Sequence, residues 1–66
     1  MRSVLRIKEL REARGMSQER LAYLSGVAVK TVQRAELLGA VNAATLRKIA
    51  VGLDVEISEL FAKEAV

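Results

Sequence analysis

Residues Gln18 to Leu37 constrain the fold of this chain more than any other stretch. The segment Gln18-Glu-Arg-Leu-Ala-Tyr-Leu-Ser25 puts small or apolar side chains at Leu21, Ala22 and Ser25, the spacing of one helix face. Gly26 then supplies a tight turn. From Val27 to Leu37 the helical period resumes, with Val27, Val32 and Ala35 facing inward and Lys30, Gln33 and Arg34 left outside. Ala22 stands where the two helices must cross. Two short helices, a glycine turn and a polar outer face form the plan of a helix-turn-helix, whose second helix enters the DNA major groove.

The chain contains no proline, so its other boundaries are read from glycines and capping side chains. A first helix is expected from about Ser3, a candidate N-cap, to Arg14, with Ile7 and Leu10 on one face, Ala13 or Arg14 below them, and Gly15 left-handed at its end. Ser17 caps the second helix, and the third covers about Ala28 to Leu37. Asn42 caps a fourth, about Ala43 to Val51, with Leu46, Ile49 and Ala50 inward and Gly52 to Asp54 ending it. A fifth is expected from Glu56 or Ile57 to about Ala65, burying Ile57, Leu60 and Phe61. Strand-like alternation, repeats and linkers are absent from the sequence. The reading is a single all-α domain over residues 1–66, a compact five-helix bundle.

A chain of 66 residues buries only about 60% of its unfolded surface and gains from a further staple. Without cysteine or histidine it has neither disulfides nor the usual zinc ligands, and no metal or cofactor is expected. An apolar share of 52% makes self-association the remaining staple. A homodimer is therefore expected, joined around Leu53, Val55, Ile57 and Leu60. Charge interrupts the start of the chain, and no apolar run reaches signal-peptide or membrane-span length, which reads as a soluble, cytoplasmic, nucleoid-associated protein. Scattered glutamates without a histidine or cysteine make no acid–base or nucleophilic constellation, so no enzyme is expected.

Charge is unevenly placed. Residues 1–34 carry eight Lys/Arg against three Glu, a balance of +5, while residues 35–66 carry three against five acids, a balance of −2. One basic face suits a polyanion. On the third helix Lys30 and Arg34 lie one turn apart, flanked by Val29 and Gln33. In isolation such a pair is an ordinary solvated one; on the outer face of this motif it suits base reading. Lys and Arg donate to guanine, Gln pairs with adenine, and Val touches a thymine methyl. Thr31, nearer the edge, suits a phosphate. Gln18, with the free N–H groups of its helix end, can grip another. Ser17 is foremost a cap, with a DNA contact as its second reading. Tyr23 alone cannot make the stacking platform of a single-strand or RNA binder. Arg11 and Glu36 lie near inward faces, where an ion pair would orient the third helix rather than add net stability; two exposed charges are the other reading.

Several separated blocks then carry a family resemblance: Ile7-Lys-Glu-Leu-Arg-Glu-Ala-Arg-Gly-Met-Ser-Gln-Glu-Arg-Leu-Ala22, Gly26-Val27, Thr31-Val-Gln-Arg-Ala-Glu36 and Thr45-Leu-Arg-Lys-Ile-Ala50. Over about Ile7 to Phe61 the chain resembles the Cro/phage-repressor-type, or XRE, helix-turn-helix proteins. The resemblance implies a lambda-repressor-like bundle and a homodimer regulating transcription from a two-fold-related operator in double-stranded DNA. It also implies base reading by Val29, Lys30, Gln33 and Arg34, a role for Gln18 at the start of the second helix, and an Arg11–Glu36 ion pair. The chain departs from the family at Ala28, where a capping Ser or Thr is usual and its loss costs about 1 kcal/mol. Glu56 likewise replaces a common capping Ser, and Leu37-Leu38 replace a polar-plus-glycine turn. Leu24, Leu37, Leu38 and Val41 are thus surplus apolar residues, either extra core or a contact surface. In the alternative reading the same fold is an antitoxin or adaptor module that docks a protein partner through Leu24, Leu37 and Leu38.

Overall fold

The computed structural model describes residues 5–39 and 41–61. It contains four α-helices, α1 (Ile7–Ala13), α2 (Gln18–Ser25), α3 (Val29–Leu38) and α4 (Ala43–Leu53), followed by a single 3-10 turn at Ile57–Leu60. Capping marks the starts of α2 and α4. Ser17 Oγ accepts the Arg20 N–H at 3.0 Å, and Asn42 Oδ1 accepts the Thr45 N–H at 2.8 Å. Helix α3 begins after Ala28 without a side-chain cap. Its first turn is closed by backbone alone, with Thr31 N–H donating to Ala28 O at 2.9 Å. The first helix, expected from about Ser3, is corrected to start at Ile7 after Arg6, because Leu5 is taken up in a bridge to Phe61; Ser3 itself lies outside the described residues.

The expected fifth helix is corrected to that 3-10 turn; its stretch beyond Phe61 is outside the described residues. Glu56 N–H donates to the Glu59 carboxylate at 3.1 Å, which holds the turn tight. Phe61 then leaves in an extended conformation and forms an antiparallel bridge with Leu5. Arg6 N–H donates to Leu60 O at 2.6 Å, so the two ends of the described chain are clasped together. This geometry turns Phe61 half outward rather than into the core, and leaves Ile57 on the exposed side. Ala13, at the last turn of α1, is exposed as well.

Ile7, Leu21, Val32, Ile49, Leu53 and Leu60 are fully buried and form the centre of the molecule. Helix α2 packs against both α3 and α4, so it is the shared wall of the bundle. At its crossing with α4, Gly52 lies inside the helix rather than at its end. A Cβ there would overlap Ser25 Oγ and stand 3.0 Å from the Ser25 backbone nitrogen and 3.1 Å from Leu21 Cδ1. The stop comes two residues later, where Asp54 takes the left-handed conformation at φ 60°. Ser25 Oγ is buried in this seam with no hydrogen-bond partner among the described residues.

Candidate nucleic-acid interface

Helices α2 and α3 meet through Gly26, whose φ of 71° lies in the left-handed region that favours glycine. Gly26 N–H donates to Tyr23 O at 3.3 Å and Val27 N–H to Ala22 O at 3.1 Å, closing the end of α2 and fixing the exit of the chain. Val32 and Ala35 are then completely buried against the bundle. Because a helix turns about 100° per residue, burying these two positions turns Lys30, Gln33 and Arg34 outward, and all three are exposed.

The remaining candidates are placed less uniformly. Val29 is half-buried, with part of its side chain packed against the core and part left at the surface. Thr31 is half-buried at the rim of the face, and Ser17 is exposed at the start of α2. Tyr23 is exposed, with the Arg20 guanidinium 5.7 Å from its ring centre. Leu53 and Leu60, expected at a dimer interface, are completely buried within the chain itself. They are corrected to core, because the 3-10 turn folds Leu60 back under α4. Val55 is half-buried and Ile57 exposed, so both still reach the surface.

A chain of polar contacts runs behind the outward face. Arg11 grips Glu36 with both arms of its guanidinium, Nε to Oε2 at 2.6 Å and Nη2 to Oε1 at 3.2 Å. Its Nη1 donates to Met16 O at 2.8 Å. Both side chains are almost fully buried. The hydrogen bond to Glu36 raises the Arg11 pKa above its ordinary value against the opposing effect of burial, so the guanidinium stays charged. Gln18 Nε2 donates to Glu36 Oε1 at 3.0 Å, and Gln33 Nε2 donates to Gln18 Oε1 at 3.4 Å. The contacts thus lead from α1 through α3 and the first residue of α2 to an exposed side chain on the outward face. Helical periodicity reveals nothing of this link, because Gln18 and Glu36 belong to different helices.

Of the surplus apolar residues, Val41 is half-buried against the core, while Leu24, Leu37 and Leu38 are exposed. Leu37 and Leu38 line an open groove together with Lys30, Gln33 and Arg34. They extend the outward face of α3 rather than forming a separate corner. Among the described residues, no group of three or more His, Cys, Asp or Glu is placed to hold a metal ion. No helix among them is long and apolar enough to cross a membrane.

Comparison with known proteins agrees with this architecture. A family model described as Helix-turn-helix matches residues 7–60. Among solved structures, the chain is similar to the restriction-modification controller protein C.AhdI from Aeromonas hydrophila, with 44% identity and a TM-score of 0.80 over 85% of this chain and 86% of that one. No curated protein matches the chain. With its outward α3, its glycine-turned α2–α3 pair and a family match over most of its length, the chain belongs to the XRE-type family of helix-turn-helix DNA-binding transcription regulators.

Proposed function

We propose that this protein is a sequence-specific regulator that binds a two-fold-related operator as a homodimer, with α3 of each copy in successive major grooves about 34 Å apart. The observation that carries this reading is the exposed set Lys30, Gln33 and Arg34 on a helix whose opposite side is completely buried. Arg34 and Lys30 are the guanine-reading candidates and Gln33 the adenine-reading one. Ser17, Gln18 and Thr31 flank them as phosphate contacts that fix register. Val55 and Ile57, with the exposed Val51 beside them on α4, are the apolar surface offered to the second copy. The likeness to C.AhdI supports control of a restriction-modification system as the setting, inside the cell where double-stranded DNA is found.

Selection of bound sequences from a random duplex pool tests the reading, with sedimentation at micromolar concentration reporting the oligomer. A palindromic or pseudo-palindromic consensus and a dimer are expected. Arg34→Ala is expected to weaken operator binding by about 1–3 kcal/mol and relax preference at one base position. Equal loss on operator and random duplex would instead make Arg34 a phosphate contact. A chain that selects no sequence, or that stays monomeric on its DNA, would defeat the proposal.

A further inference from the structure

We infer that Leu37 is a specificity-determining residue that reads the 5-methyl group of a thymine, at a different base pair from the one met by Lys30. This rests on the DNA-reading role proposed above and adds an apolar determinant to its polar ones. Helix α3 runs on through Leu38, because the left-handed stop falls at Gly39, with φ 66° and its N–H donating to Ala35 O at 3.0 Å. Leu37 thus has helical backbone, and the helical period rather than a loop sets its direction. At about 100° per residue, Leu37 projects within about 20° of Lys30, with Gln33 and Arg34 about 40° and 60° to either side. It lies nearly opposite the buried Val32 and Ala35, and is 82% exposed, more than any other large apolar side chain among the described residues. The outermost point of the face offered to DNA is therefore apolar.

A leucine side chain has no hydrogen bond to give or accept. Of the groups displayed in the major groove, only the thymine methyl matches it; the other base edges present donors and acceptors that Leu37 would leave without partners. A helix rises about 1.5 Å per residue, which sets Leu37 about 10 Å beyond Lys30, whereas neighbouring bases on a strand are about 3.4 Å apart. The two side chains accordingly meet different base pairs. The occupant follows from continuity: Leu37 and Leu38 line one groove with Lys30, Gln33 and Arg34, so whatever covers the leucines also covers two cations and an amide. A duplex satisfies all of them at once. Leu38 lies about 100° round the helix from Leu37, on the side of Thr31, and flanks this contact rather than sharing it.

The test uses the duplex selected by the unaltered chain and compares its binding by that chain, Leu37→Ala, Leu37→Met and Leu38→Ala. Each thymine of a half-site is replaced in turn by deoxyuridine, which pairs identically and lacks only the methyl. At one position the replacement is expected to weaken the unaltered chain about 3-fold or more, the worth of one buried methyl group. Leu37→Ala is expected to bind the thymine and deoxyuridine forms equally at that position, so that the two deletions do not add. Leu37→Met, still apolar, and Leu38→Ala are expected to retain the sensitivity, and thermal unfolding verifies that each variant remains folded. Equal loss by Leu37→Ala on every sequence, or deoxyuridine sensitivity unchanged in Leu37→Ala, would overturn the inference while leaving the DNA-reading role standing; the second result would assign the leucines to a protein partner. Failure of the unaltered chain to prefer any sequence would overturn both.

Discussion

The two sides of α2 are held by opposite means. Towards α4 the seam is dry and sterically tight: Gly52 allows the helices to approach until Ser25 and Leu21 fill the space a side chain would need. Towards α3 its first residue adds a polar link, with Gln18 joined to Glu36, and through it to Arg11 of α1, by directional hydrogen bonds. Close packing depends on area and volume, and a small displacement changes it gradually. A bidentate ion pair depends on orientation and admits one arrangement. The dry seam therefore holds the bundle together, whereas the polar seam sets the angle at which α3 is presented. A single helix serves both purposes by presenting different residues to each neighbour.

The contrast is open to direct attack. The largest effect is expected from Arg11→Ala, which leaves the Glu36 carboxylate buried with only Gln18 as a side-chain donor. Removing one partner of a buried pair costs about 3–5 kcal/mol, and a domain of this length has only about 3–10 kcal/mol in total. Chemical denaturation at fixed protein concentration should show most of the stability gone; a loss below about 1 kcal/mol would mean that the polar seam carries no strain when broken. Gly52→Ala comes next, because the added methyl must displace Ser25 or Leu21. A loss of about 1–3 kcal/mol is expected, visible as a lower Tm with DNA base preference unchanged. A changed preference would show that the dry seam also sets the angle of α3. Ser25→Ala is the smallest and has the opposite sign. Deleting a buried hydroxyl without a partner is expected to stabilise by about 1 kcal/mol, or about 4–8 °C in Tm. No gain would mean that the hydroxyl finds a partner in solution.

Much of this architecture could be read in the residues. Ser17 and Asn42 announced their helices because a capping oxygen has few other uses before an apolar-periodic run. Leu21, Ala22, Ser25, Val32 and Ala35 announced the buried faces because a helix has a fixed period. Three things escaped. Gly52 looked like a stop, since local pattern cannot distinguish a glycine that ends a helix from one that admits a neighbour. Leu53 reads as an interface residue and Leu60 as both core and interface, since burial of both within one chain depends on the backbone turning after Glu56 and returning along Leu5. The Gln18–Glu36 contact joins different helices, and only the packed molecule brings them together. The outward trio of α3 was legible because burying Val32 and Ala35 forces those positions out; the contact of Gln33 with Gln18 was not.

The clasp of Arg6 to Leu60 has a kinetic consequence. Its partners come from opposite ends of the described chain, so joining them early would sacrifice more freedom than any helical turn, and the reward arrives only once the intervening helices are assembled. The order of assembly is then helices first and fastening last, with release in the reverse order. Amide exchange at Arg6 should accordingly be faster than at the middle of α4, as a zip parts at its pull before its seam.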